Sequence, residues 1–188
     1  MSWPSDKEFY YELRSCHPTL LNKYTRAARF IYLNRYCFNG VYRTNRNGQF
    51  NVARGQHMGS IPSASELRAF GRLMRAVDVL KCDFASLLEQ AGEGDFVYLD
   101  PPYAGRDVRD RGEYGVGAFK VHDLERFVDA VQAASDRGAK ILISYADLPQ
   151  VRDLFHGWHL TRLSVARNVA GFAGARSSVS ELILRNYS

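Results

Sequence analysis

Apolar residues recur at helical spacing over Lys7–Leu13 and Leu20–Leu33, through Phe9 and Leu13 and then Leu20, Tyr24, Ala27, Ala28, Ile31 and Tyr32. This pattern predicts two helices separated near Pro18. From Cys37 to Gly55 the periodicity breaks at Asn39-Gly40, Asn45, Asn47-Gly48 and Asn51, which predicts a loop of hairpin character tightened at Asn47-Gly48. A further helix is expected from Ser65 to Val79 after the start signal Ser60-Ile61-Pro62-Ser63, and a short one within Lys81–Glu89.

The pattern then becomes that of a buried sheet with helices. Phe96-Val97-Tyr98-Leu99 reads as a short strand running into Asp100-Pro101-Pro102-Tyr103. A charged, glycine-rich loop over Gly105–Gly117 follows, expected to be mobile without a ligand. Next come a helix over Val121–Asp136, a turn at Arg137-Gly138, a strand over Lys140–Ser144 and a short helix over Pro149–Phe155. Two closing strands, Trp158–Ala166 and Ser180–Arg185, are joined through a segment containing Gly171, Gly174 and Arg176. The alternation of strand and helix indicates an α/β fold.

A chain of 188 residues with 46% hydrophobic and 24% charged residues can bury one sizeable core. No apolar run approaches the roughly 20 residues of a membrane span, and the N-terminus has no signal-peptide pattern, so a cytoplasmic location without membrane association is expected. Cys16, Cys37 and Cys82 are widely spaced and match neither a disulfide framework nor a zinc site, so no metal is expected.

The formal charge is +5, but its distribution is uneven: Leu13 to Ser65 contains no Asp or Glu. Its charged residues are Arg14, Lys23, Arg26, Arg29, Arg35, Arg43, Arg46 and Arg54, in a chain that carries 20 acids overall. Such a stretch suits a polyanion-facing surface. The alternative is a solvated basic face whose acids come from elsewhere in the sequence.

Asp100-Pro101-Pro102-Tyr103 carries the chemistry. The exocyclic amino nitrogen of adenine or cytosine is a weak nucleophile because its lone pair is delocalised into the ring. A carboxylate (Asp100) and a main-chain carbonyl (Pro101) can accept from one NH2 group, orient the lone pair and stabilise the positive charge that develops. Two prolines fix φ at successive positions, and Tyr103 can stack on a base turned out of a duplex. The alternative is a plain strand-ending turn, where Asp and Pro are common.

Together with Tyr32-Leu33-Asn34-Arg35, Phe38-Asn39-Gly40-Val41-Tyr42-Arg43, Asn45, Gly48 and Phe50-Asn51-Val52, this motif resembles the signature of Dam-type DNA adenine-N6 methyltransferases. Lys81-Cys82-Asp83-Phe84, Ile141–Tyr145, Val165-Ala166-Arg167 and Ser180-Glu181-Leu182 are similar to further blocks of that family. The resemblance runs from about Phe9 to the C-terminus.

It implies a partial Rossmann-like methyltransferase sheet dependent on S-adenosylmethionine, with an inserted helical and hairpin DNA-recognition subdomain. Residues 1–80, including the hairpin 37–55, would be the target-recognition segment, and 81–188 the catalytic segment. By resemblance, Asp100, Pro101, Pro102 and Tyr103 form the catalytic motif, and Asp83, Phe84 and Asp100 contact S-adenosylmethionine. Arg43, Asn45 and the hairpin Arg46–Asn51, with Arg46, Asn47 and Asn51 as its candidate readers, enter the DNA, where arginine can read guanine and asparagine adenine. Arg35 joins them, either as a phosphate contact or as scaffold, as for Lys23, Arg26 and Arg29. Asn39 and Asn51 serve equally well as turn formers. The partner is duplex DNA, in a bacterial or phage setting.

The family's Lys-Trp-x-Gly-Gly-Lys-like and Phe-x-Gly-x-Gly segments have no counterpart in this sequence, so relative to the family it is expected to be truncated at its N-terminus. Thr44 and Ala53-Arg54 also depart from the pattern, so the Gly-Ala-Thr-Cys target is not carried over. Three readings remain open. One is an active enzyme completed by a complementing chain, a homodimer or an unusual N-terminus. Another is a non-catalytic DNA-binding remnant, and the third is an amino methyltransferase of cytosine N4 or RNA.

Overall fold

A computed structural model describes residues 4–45, 47–56, 59–102, 121–166 and 178–188. The expected loop over Gly105–Gly117, and the segment with Gly171, Gly174 and Arg176, lie outside the described residues. Two compact units divide between Leu80 and Lys81.

The first unit is built on helices α1 (Lys7–Ser15) and α2 (Lys23–Tyr36). Asp6 starts α1 by accepting from the amide of Phe9 at 2.8 Å, and Asn22 starts α2 by accepting from the amides of Tyr24 and Thr25. Both satisfy amides that a helix N-terminus leaves without internal partners. The C-terminal carbonyls of α1 are served differently. Arg29 of α2, only 4% exposed, donates from Nε to the Leu13 carbonyl at 3.0 Å and from Nη2 to that of Arg14 at 2.9 Å. Tyr10, Tyr32, Leu33, Tyr36, Cys37, Phe50 and Val52 form the core, with the Tyr10 hydroxyl donating to the Val52 carbonyl. Burial pushes the Tyr10 phenol well above its ordinary pKa, so it remains a donor at all working pH.

Helix α3 (Ala64–Leu73) begins in a capping box between Ser63 and Glu66. The expected long helix to Val79 instead tightens into a 3-10 turn at Met74–Ala76 and ends there. Likewise, the expected start of the second helix at Leu20 is a separate 3-10 turn, Pro18–Leu20, because Asn22 caps the helix proper.

The second unit begins with α4 (Phe84–Leu88), capped by Asp83, and strand β1 (Phe96–Leu99). Helix α5 (Val121–Asp136), strand β2 (Lys140–Ala146) and helix α6 (Pro149–Leu154) follow. Strands β3 (His159–Ala166) and β4 (Ser178–Arg185) close it. The sheet order is β1-β2-β4-β3, with β1 parallel to β2 and the other pairs antiparallel, so the unit is a mixed α/β sheet. Strand β2 runs two residues past the expected Ser144, because Ala146 still pairs with Glu181. Ile141, Ile143, Tyr145, Leu182 and Leu184 face a core completed by Leu124, Phe127 and Val131 of α5 and by Val151 and Phe155.

A glycine and a side-chain amide set the α5-to-β2 turn. Gly138 has φ of +92°, and a Cβ there would stand 3.2 Å from that of Glu93, so glycine is required on both counts. Asn186, just past β4, accepts from the Ile141 amide at 2.8 Å and donates to Ser135 Oγ and the Ala139 carbonyl, both at 2.8 Å. Among the described residues no helix is long and apolar enough to cross a membrane.

Leu184 is fully buried between β2 and β3. Leu184→Ala is expected to lower the unfolding free energy by about 2–5 kcal/mol through lost burial and the cavity left behind. Urea denaturation of the variant checks this.

Candidate active site

Strand β1 ends at Leu99, which pairs with Ile143, so Asp100 emerges at the carboxyl end of the parallel pair beside Ser144. Ser144 Oγ donates to Asp100 Oδ1 at 3.0 Å, and the Tyr98 hydroxyl lies 3.0 Å from the same Oγ. An ionised carboxylate only accepts, so the single Ser144 proton points at Asp100 and Tyr98 must donate to Ser144. The relay Tyr98→Ser144→Asp100 engages one carboxylate oxygen. The Tyr145 hydroxyl stands 3.5 Å from the Pro102 carbonyl, behind the Pro-Pro turn.

Asp100, Pro101 and Pro102 line a hollow of about 220 Å³ together with Phe84, Tyr98, Leu99 and Phe127. Phe84, Tyr98 and Leu99 also line an adjoining hollow of about 500 Å³ that continues past Leu87, Gln90 and Phe96. Both are chiefly apolar. The Phe84 ring meets Phe127 edge-on at 5.7 Å, and the guanidinium of Arg126 lies 4.4 Å from its centroid.

Arg126 also grips Asp83, from Nη1 to Oδ1 at 2.8 Å and from Nη2 to Oδ2 at 3.0 Å. Asp83 Oδ1 additionally caps α4 through the Ala85 amide at 2.9 Å. The Arg126 hydrogen bonds, and then the Ala85 amide, hold the Asp83 carboxyl below its ordinary range. Thus Phe84 stands in the cavity with Asp100, while Asp83 is engaged by Arg126 at the start of α4. Tyr103 lies outside the described residues, as does Arg46.

In the first unit the hairpin closes between Asn45 and Gln49, whose amide and carbonyl bond at 2.8 Å, and Gly48 takes φ of +73°. Asn45 uses Oδ1 to accept the amides of Asn47 and Gln49, and Nδ2 to donate to Gln49 Oε1. It therefore builds the turn, and Gln49 is the amide that it positions. Arg43 Nε donates to Asn51 Oδ1 at 3.2 Å, so these two candidates sit side by side. Tyr42, between Phe30 and Phe50, supports the hairpin arm that bears Arg43. Arg35 lies apart from them, with Nε donating to the Ser60 carbonyl at 2.6 Å. A polar hollow of about 360 Å³ separates the hairpin from the end of α1, lined by Arg14, His17, Arg29, Asn45, Gln49 and Asn51. No acid is among its lining residues.

Sequence reasoning did not find Tyr98, Ser144 or Arg126, and it included Gln49 only as part of the hairpin Arg46–Asn51. Alternation places Tyr98 on one face of β1, but nothing local shows that the residue two beyond its register partner Leu142 would be a serine within reach of its hydroxyl. Among the described residues no group of three His, Cys, Asp or Glu side chains could hold a metal ion.

The family model for D12 class N6 adenine-specific DNA methyltransferases matches residues 2–169. The DNA N-6-adenine-methyltransferase of Escherichia phage P1 is 36% identical over 77% of this chain and 20% of its own length. The Type II methyltransferase M1.LlaDCHI of Lactococcus lactis subsp. cremoris is 27% identical over 97% of this chain and 67% of its own. The DNA adenine methylase of Haemophilus influenzae is 30% identical over 94% of this chain and 62% of its own. The chain thus spans from a fifth to about two thirds of the length of these relatives.

The low-lying Asp83 carboxyl has a consequence for stability. A group whose folded pKa is depressed contributes stability that is present above its unfolded value, about 3.9, and lost as pH falls through the folded one. Asp83→Asn is therefore expected to melt below the wild type at neutral pH, with the gap narrowing below about pH 4. Thermal melts across pH check the sign.

Proposed function

The chain belongs to the D12 class N6 adenine-specific DNA methyltransferase family, and on that premise we propose that it transfers a methyl group from S-adenosylmethionine to N6 of an adenine turned out of duplex DNA. The observation that supports this most directly is Asp100. It stands at the mouth of an apolar hollow beside two prolines, with one carboxylate oxygen fixed by Ser144. Its other oxygen and the Pro101 carbonyl are suited to accept the two protons of an adenine NH2 group.

The residues fit the cofactor's chemistry. Phe84 lines both apolar hollows, which offer an aromatic wall and volume for an adenine, and Asp83, beside it at the start of α4 and held by Arg126, would meet a polar edge. Asp83, Phe84 and Asp100 are the residues that would hold it. S-adenosylmethionine supplies an electrophilic methyl group. Asp100 and Pro101 hold the amino group, turn its lone pair out of conjugation and stabilise the positive charge that grows on nitrogen. Because Ser144 occupies Oδ1, Asp100 has a fixed orientation before substrate arrives. Tyr103 would stack on the extruded base, and the surplus proton leaves N6 after transfer. Pro102 keeps the turn stiff.

On this reading the second unit is part of a Rossmann-like methyltransferase sheet, with 81–188 as the catalytic segment. Residues 1–80 are the inserted recognition segment. Arg43, Asn51, Asn47 and Arg46 would contact the DNA, Asn45 shapes the turn between Arg43 and Asn51, and Gln49 joins the reading surface. Arg35 contacts phosphate or braces Ser60.

The test is transfer of labelled methyl to duplex DNA. Label on adenine N6 that disappears in Asp100→Ala, with DNA affinity nearly unchanged, is the expected result. Wild-type protein that binds DNA without transferring label would instead make it a DNA-binding protein. Ser144→Ala is expected to lower kcat by about 10-fold with little change in KM, as for loss of a group that orients a catalytic carboxylate. Ser144→Thr, which keeps the hydroxyl, should restore it. Equal kcat in Ser144→Ala would remove the relay from the mechanism.

A further inference from the structure

Asp147 follows β2 directly, and its side chain is 7% exposed. It accepts from Arg152 Nε at 2.7 Å on Oδ1, and from Arg162 Nε at 2.6 Å and Ser180 Oγ at 2.9 Å on Oδ2. Arg152 also pairs through Nη2 with Oδ1. Burial works against the charged carboxyl, but the hydrogen bonds from Arg152, Ser180 and Arg162 outweigh it and hold Asp147 below its ordinary pKa. A buried carboxylate needs one counter-cation, whereas this one has two. The trio therefore carries a surplus positive charge. The charge is presented outward, because the Arg152 side chain is 40% exposed and that of Arg162 59%.

Position gives this surplus a meaning. Strands β1 and β2 run parallel, with Leu99 opposite Ile143, so Asp100 and Asp147 both lie beyond the carboxyl end of the sheet. Ser144 touches Asp100, and three residues of chain reach at most about 10 Å, so Asp147 lies within that distance of the residue that holds Asp100. Ligands of α/β sheets bind at this end. Two carboxylates lie near, Asp153 on α6 and Glu181 on β4. Strand alternation puts Glu181 on the sheet face opposite its neighbours Ser180 and Leu182, and Leu182 is the register partner of Arg162.

We infer that Arg152 and Arg162, anchored by Asp147, form a contact for a backbone phosphate of the DNA strand whose base enters the Asp100 hollow. This rests on the methyltransferase reading above. A base drawn into that hollow brings its flanking phosphates to the carboxyl end of the sheet. There, two guanidiniums whose rotamers are already fixed by Asp147 can bond a phosphate with little further ordering. The contact fixes position and carries no sequence information.

The experiment measures binding of the full chain to a fluorescein-labelled mixed-sequence duplex as a function of salt. Arg162→Gln leaves Asp147 paired with Arg152, and is expected to reduce the slope of log K against log salt by about one, the signature of one lost phosphate contact. Lys140→Gln, at the amino end of β2, should leave the slope unchanged. An Arg162→Gln protein with an unchanged melting temperature and a wild-type slope overturns the inference and leaves the methyltransferase reading standing. A wild-type protein that does not bind the duplex at any salt concentration overturns both. Phenylglyoxal labelling of the wild-type protein gives a readout that needs no variant. Duplex DNA is expected to protect Arg162, and equal labelling with and without DNA would overturn the assignment.

Discussion

The pairing of β1 with β2 is the constraint on which the rest of the second unit depends. A strand of four residues has few hydrogen bonds of its own, so its position is set by the neighbour that it joins. That register puts Leu99 opposite Ile143 and delivers Ser144 to Asp100. A slip of one residue would turn Val97 and Leu99 away from the core and take Tyr98 from Ser144, so packing and chemistry are locked to the same register. The Asn186 bonds to Ile141 and Ala139 add a second hold at the other end of β2.

In the first unit the supporting logic is different. Carbonyl oxygens, not carboxylates, partner much of the cationic charge: Arg29 on Leu13 and Arg14, Arg14 on Val52, Arg35 on Ser60 and Arg54 on Ser5. These arginines staple helices and loop together while keeping their charge. Arg43 bonds the side chain of another candidate, Asn51, and is thus aimed by a residue that shares its proposed task.

Much of this was legible from residue order. Helical spacing located the first two helices and α5, and the apolar run before Asp100 located β1, since burial imposes those periods directly. The bounds moved where local capping won: Asn22 set the start of α2, and the 3-10 turn at Met74 ended α3 early. The direction and order of β3 and β4 were not legible, because period-2 alternation says nothing about which neighbour a strand chooses. Within the site, Asp100 and its prolines were legible because the dipeptide is rare and stiff. Ser144, Tyr98 and Arg126 were not, because their roles arise only from pairing and packing across some 40 residues of sequence. Asn45 read as a base contact from its type, and the structure gives it turn-building bonds that any Asn in such a loop can make.

The absence of acids between Leu13 and Ser65 has a consequence beyond surface charge. Acid unfolds proteins largely by protonating carboxylates that the fold has paired. In this stretch Arg14, Arg29, Arg35 and Arg54 are tied to peptide carbonyls, which do not titrate, and α2 is started by Asn22 rather than by an aspartate. The second unit, by contrast, is tied at Asp83 and Asp147. Acidification therefore attacks the two units differently: the second loses the ionic ties at Asp83 and Asp147, whereas in the first a proton meets the helix caps of Asp6 and Glu66 and leaves the bonds beneath the hairpin untouched.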